Sequence, residues 1–332
     1  MRTPQLAIVV DAEEEFDWTQ PFSRANQATS SMTQQCAAHA IYDDLGVIPT
    51  YVIDYPIAVD PDSVAYLGAM QREGRAEIGT QLHPWVNPPH DEDVTRDNSY
   101  LCNLPPALQR AKIETLHRAI TQSFGTAPTI FKAGRYGFGP VVAEVIADLG
   151  YKIDCSHVPH TSFAADGGPD YCGTPDQPFW LDEAQTLLEI PLTVGFSGAA
   201  SGLGPAFATM FDNVRAKQLH LVGALARSGL VSRARLTPEG VSAQEQCRLL
   251  RALHDQGQRI FTLTYHSPSL VAGHTPYVRD DAELKAFNDT IRTVLTWFRD
   301  ELGGGFTTLS AIYDDMAAAR DAAKNSARVA AE

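Results

Sequence analysis

Four carboxylates, Asp11, Glu13, Glu14 and Glu15, fall within five positions and follow the apolar run Leu6-Ala7-Ile8-Val9-Val10. An unbroken apolar, β-branched run reads as a strand buried on both faces. Acidic groups at the carboxyl end of such a strand stand where α/β folds place their chemistry. Asp11 and Glu13 are two apart, so in an extended segment both side chains point the same way. Two converging carboxylates need a cation or a proton between them. A solvated acidic turn is the plainer reading, and what weighs against it lies downstream.

A second strand, 77–83, carries Gln81 and His83 on one face and runs into Pro84-Trp85-Val86-Asn87-Pro88-Pro89. Glu13 and His83 supply the carboxylate and imidazole donors that zinc takes, and a catalytic zinc site keeps one position open for water. The third donor is left open between Gln81, Asn87 and His90. His266 ends a third apolar strand and precedes Ser267-Pro268. There it could act as a general acid tuned by a carboxylate, or merely bond backbone carbonyls in a turn. Arg135, on a glycine-flanked loop after Phe131, could pair with Asp11 and hold it ionised; the alternative is a surface arginine.

The elements that must position these groups alternate along the chain. Strands are expected at 47–53, 77–83, 129–131, 151–155, 187–191, 260–265 and 306–309, besides the first. Helices are expected at 33–45, 63–74, 106–124, 140–149, 206–225, 241–256 and 281–301. A long loop runs from Pro84 to about Leu104, and the Gly-, Pro- and Asp-rich stretch 164–178 reads as a surface excursion. Some seven strand–helix alternations without a linker-like shift argue for a parallel sheet covered by helices, closed or nearly closed into a barrel. The expected organisation is one barrel domain over 1–315 and an Ala-rich helical tail over 316–332. A doubly wound open sheet is the competing architecture. Glycine patterns for dinucleotide or P-loop binding are absent from the strand–helix junctions.

At 332 residues, 44% hydrophobic and 20% charged, the chain has the composition of a globular protein. A net charge of -14 argues against nucleic acid and anionic membranes as partners. It is compatible with a sugar or another small neutral or cationic ligand. Five scattered cysteines without a C-x-x-C pair argue against a disulfide framework and for a reducing compartment. With neither a secretory pattern nor an ~18-residue apolar span in view, the expected location is the cytoplasm.

These segments, in this order, resemble the motifs of the polysaccharide deacetylase (NodB-homology) family. Val10-Asp11-Ala12-Glu13 is similar to its D-x-[DE] motif, which implies Asp11 as catalytic base and Glu13 as metal ligand. The segment from Glu77 to Trp85 resembles the metal-histidine motif of the H-x-H-P-W subgroup, implying His83 as a ligand with Gln81 in the place of the other histidine. Phe131-Lys132-Ala133-Gly134-Arg135-Tyr136-Gly137 resembles R-x-G-R-Y-G, with Lys132 where the pattern has arginine, and implies Arg135 near the base. Asp154-Cys155-Ser156 is weakly similar to the next motif, and Leu263-Thr264-Tyr265-His266-Ser267-Pro268 to the last, implying His266 as catalytic acid.

The resemblance implies an α/β fold, a distorted (β/α)7 barrel, and a metal-dependent amide hydrolase that removes acetyl groups from N-acetylated sugars. A divalent metal, zinc by its donors, would polarise the acetamide and lower the pKa of bound water towards ~7. Trp85 and Tyr136 could stack on the sugar, and packing residues are the alternative reading of each. Two alternatives stand beside this one: a hydrolase of small cyclic amides or imides, and a degenerate barrel that binds a saccharide without turnover. The losses of histidine at Gln81 and arginine at Lys132 point to the last.

Overall fold

The computed structural model describes residues 3–212 and 229–331. Its strands are β1 (Gln5–Ala12), β2 (Thr50–Ile53), β3 (Glu77–Leu82), β4 (Ile130–Ala133), β5 (Ile153–Asp154), β6 (Phe179–Trp180), β7 (Leu188–Glu189), β8 (Val194–Ser197), β9 (Ser232–Arg235), β10 (Ile260–His266) and β11 (Gly305–Phe306). The main sheet runs β10-β1-β2-β3-β4-β5-β7-β6, parallel except for the β6–β7 pair. This is the α/β class and the curled parallel sheet expected from the sequence. Seven strands are parallel members of that path, and β11 adds a short parallel pairing on β1.

The distortion lies where β7 and β10 face one another. Among the described residues they share no ladder; side chains and one intervening residue span the gap. Thr193 and Thr262 each donate a backbone N–H to the other's hydroxyl at 2.8 Å. Leu236 donates to the Thr193 carbonyl and accepts from Thr264 N. The gap is thus stitched by threonines, whose β-branched side chains carry a hydroxyl that can replace a missing ladder bond.

Strand alternation decides what faces inward. Leu6, Ile8, Val10 and Ala12 of β1 pack outward against the helices, together with Ile78 and Leu82 of β3, Phe131 of β4, and Phe261 and Leu263 of β10. Ala7, Val9, Val52, Ile130, Ile153 and Leu188 form a smaller inner cluster. The helix Leu309–Ala331 plugs the floor of this inner space with Leu309 and Ile312, and Tyr313 and Met316 pack alongside. By the same period of two, Asp11, Gln81, Lys132 and His266 all point inward at the opposite, carboxyl-terminal mouth.

Several boundaries differ from expectation. The last helix begins at Leu309 rather than 316, so it crosses the expected domain boundary, and the final strand shrinks to Gly305–Phe306. The expected helix at 206–225 is a 3-10 turn, Ser201–Phe207, and a short helix, Ala208–Asp212; positions 213–225 lie outside the described residues. Among the described residues no helix is long and apolar enough to cross a membrane.

Candidate active site

Register brings the strand-end residues together. Asp11 is the ladder partner of His266 on β10, and Gln81 that of Lys132 on β4. Across the mouth, Lys132 Nζ lies 2.5 and 2.6 Å from the two oxygens of Asp11, with both side chains buried. Burial alone would lower the lysine's pKa, but the Asp11 charge outweighs it and the value is raised. The cation on Asp11 is therefore Lys132. Arg135, expected there, turns away: its guanidinium pairs with Asp166 and lies over the rings of Tyr100 and Phe22, at 4.2 and 5.0 Å. The cause is local, because Arg135 and Tyr136 both hold positive φ, 52° and 63°, in the left-handed region that side chains other than glycine rarely enter.

His266 is fixed from its other side. Glu239 takes His266 Nδ1 at 2.8 Å, the His266 backbone N–H at 3.0 Å and the Ser269 hydroxyl at 2.6 Å. Burial pulls the imidazole's pKa down, but Glu239, Glu13 and Asp11 together raise it well above the usual value. His266 Nε2 is left 3.6 Å from Asp11 Oδ2. Glu239 was not singled out in the sequence. Its only signal is the segment Leu236-Thr237-Pro238-Glu239-Gly240, a turn between a strand and a helix.

Glu13, Gln81 and His83 form the third group. Gln81 Nε2 donates to Glu13 Oε2 at 3.2 Å and lies 3.1 Å from His83 Nε2, while His83 Nε2 and Glu13 Oε2 are 3.6 Å apart. Burial lowers the His83 pKa and raises that of Glu13 to about 7. Behind them, His83 Nδ1 lies 2.8 Å from Glu14 Oε2, and the Trp85 indole donates to Glu14 Oε1 at 2.6 Å. Asp54, which caps the helix Tyr55–Val59, accepts the Glu14 backbone N–H at 2.6 Å. Burial raises Glu14 to about 8 and Asp54 well above the carboxylate range. Gly134 lets the group close up, since a Cβ there would stand 2.2 Å from His83 Cδ2.

The donor set fits a divalent cation. Glu13 Oε1 and Gln81 Oε1 are buried without a hydrogen-bond partner. Turning the Gln81 amide over exchanges its Nε2, now facing Glu13 and His83, for an oxygen ligand. Glu14 fixes the far nitrogen of His83, the support that metal-bound imidazoles receive. Asn87 and His90 are not part of the group: Asn87 Nδ2 bonds the Pro88 and Lys112 carbonyls, and His90 is exposed. Glu14, Asp54 and His83 also bring ligand atoms within 4.8 Å of one another, as do Asp154, His157 and Glu189. In the first trio the donors are engaged with one another; the second does not line the cleft.

Above these groups opens a cleft of about 990 Å³. Its rim includes Phe16, Trp18 and Phe22, from the segment that follows β1. Trp18 meets the His266 ring edge-on at 4.9 Å. Trp85, expected to stack on a sugar, is only 2% exposed, with His83 on one side at 4.4 Å and Phe22 stacked at 4.3 Å. No face is left for a ligand, and it positions His83 and Glu14 instead. Tyr136 is half-buried at the cleft, its ring stacked at 5.2 Å on Phe163. The supposed surface excursion 164–178 contributes Asp166, which holds Arg96, Arg135 and the Tyr100 hydroxyl.

No family model and no curated protein matches the sequence. Among solved structures, a candidate polysaccharide deacetylase from Mycobacterium smegmatis matches with a TM-score of 0.53 at 14% identity, over 96% of this chain and 92% of that one. A 4-alpha-glucanotransferase from Thermococcus litoralis matches with a TM-score of 0.51 at 11% identity, over 95% of this chain and 40% of that one. At such identities the likeness shows the fold. The two names describe different reactions, so the chemistry of this chain has to be argued from its own residues.

Proposed function

We propose that the chain is an amide hydrolase of the polysaccharide deacetylase kind, removing the acetyl group from an N-acetylated sugar. The observation that carries this reading is the pairing at the mouth. Asp11, held by Lys132, and His266, held by Glu239, stand 3.6 Å apart beside the Glu13–Gln81–His83 group. Asp11 takes the proton of the attacking water, and the Lys132 ammonium holds its carboxylate in place. His266 carries the proton that the departing amine needs, and Glu239 keeps it there. Glu13 and His83, with Gln81 turned over, would hold a divalent metal such as zinc, which when bound supplies Lewis-acid polarisation and a more acidic water. Trp18 and Phe16 line the rim beside His266.

Assay of N-acetylhexosamine substrates with added Zn²⁺ tests this. Asp11→Asn is expected to lower kcat by roughly 10²–10⁴-fold, the usual worth of a general base. Turnover that survives the substitution removes Asp11 from the reaction.

One observation favours a second reading, saccharide binding without turnover. The Gln81 amide donates to Glu13 and contacts His83, so an N–H group stands where a cation would. Metal analysis separates the two: protein that neither carries nor takes up zinc, and regains it on Gln81→His, supports the second.

A further inference from the structure

Nearly every basic side chain lining the cleft has a carboxylate partner. Lys132 has Asp11, His266 has Glu239, His83 has Glu14, and Arg96 and Arg135 share Asp166. Arg235, the last residue of β9, is the exception: among the described residues no carboxylate lies within 4.0 Å of it. Among the described residues, the one hydrogen bond of its side chain runs from Nη1 to the Tyr136 hydroxyl at 2.7 Å. In a chain of net charge -14, carboxylates are abundant, yet none is placed here. A half-buried guanidinium with most of its N–H donors unused loses hydration without recovering a counter-charge.

Arg235 is also close to the reacting groups. The Tyr136 ring has Lys132 Nζ at 5.4 Å and Arg235 Cζ at 5.1 Å from its centroid, so Arg235 and the lysine of the Lys132–Asp11 pair lie against the same aromatic ring. Thr237 and Tyr277 line the cleft as well and bring hydroxyls to the same wall. Resting on the hydrolase reading, we infer that Arg235 receives an anionic oxygen group, carboxylate or phosphate, borne by the acylated sugar next to the scissile amide. The guanidinium fork matches two oxygens of either group, and the Tyr136 bond orients the fork. The substrate is thus an acidic or phosphorylated N-acetyl sugar rather than a neutral one.

Titration calorimetry tests this without turnover. The probes are N-acetylglucosamine (neutral), N-acetylmuramic acid (carboxylate) and N-acetylglucosamine 1-phosphate, on the wild type, R235Q and R235K. Wild-type protein should bind at least one charged sugar roughly tenfold or more tighter than the neutral one, the worth of a charge-assisted bond. In R235Q that ratio should collapse towards one, and R235K should restore part of it. Whichever charged sugar shows the preference identifies the anion. The proposal is overturned if the wild type binds neither charged sugar or prefers neither, if R235Q keeps the ratio, or if it loses neutral and charged sugars alike. A protein that binds charged sugars through Arg235 but hydrolyses none would end the hydrolase reading and leave the anion site standing.

Discussion

The two halves of the cleft are built differently. The strand-borne half, Asp11, Glu13, Gln81, His83 and Lys132, is at most 3% exposed; its one lysine is paired with Asp11, and burial pushes Glu13 and His83 towards their neutral forms. The loop-borne half, Trp18, Arg135, Tyr136, Asp166 and Arg235, is half-buried. There cation–π contacts and partly exposed ion pairs replace enclosed charge. His266 stands at the seam, on a strand end but held by a loop carboxylate. Rigid, dry elements suit the groups that must meet reacting atoms to within a fraction of an ångström, and loops suit the groups that choose a ligand. Substitutions in the first half should therefore cost stability and turnover, and those in the second affinity and specificity.

The largest effect should come from Lys132→Met. It leaves the Asp11 carboxylate buried without its cation, and breaking such a pair from one side costs roughly 3–5 kcal/mol. Urea unfolding should show that loss, and kcat should fall with it. Lys132→Arg keeps the charge and should recover more than half of the stability. If Lys132→Met unfolds at the wild-type midpoint, the claim that pairing sustains the strand-borne half is broken.

Glu239→Gln tests the seam and should be next in size. Without the Glu239 charge the His266 pKa falls, so the acid form is lost earlier as pH rises. The alkaline limb of the kcat profile should move down by roughly one to three pH units, the usual effect of an adjacent opposite charge. Stability follows the same sign. A histidine raised on folding stabilises fully below its unfolded pKa of about 6.5, and that contribution is lost as pH rises through the raised value. The variant should lack it. An unmoved alkaline limb would mean that Glu239 positions a ring that does not titrate in the reaction.

The same division explains what could be read from the sequence. Asp11, Glu13, Gln81, His83 and His266 could be singled out because each lies at or near the end of an apolar strand, and a period of two fixes which way it points; Lys132 stood out only as a departure from a motif arginine, with the pairing to Asp11 assigned to Arg135. The seven parallel strands were visible for the same reason. Glu239, Asp166 and Trp18, from irregular segments, and Arg235, from the short strand β9, were not, because they meet their partners across 27 to 248 positions of chain. No local pattern encodes such a meeting. Arg135 misled for a related reason: the left-handed backbone that turns it towards Asp166 leaves no mark in residue type. Trp85 misled because its type, apolar with a polar tip, serves a buried support as well as a sugar platform.

Arg135→Ala should have the smallest effect, and it sharpens the comparison most directly. Its ion pair is partly exposed, and Asp166 keeps Arg96 and the Tyr100 hydroxyl, so no charge is orphaned. Loss of such a pair is worth about 1 kcal/mol or less, and the contact with Tyr100 adds at most a similar amount. The melting temperature should drop by a few degrees. KM should rise as the Phe22 and Tyr100 wall loosens, while kcat holds, because Lys132 rather than Arg135 sits on the base. A kcat loss as deep as that of Lys132→Met would put Arg135 back beside Asp11 in the working enzyme. The loop-borne half would then have to close onto the strand-borne one during turnover.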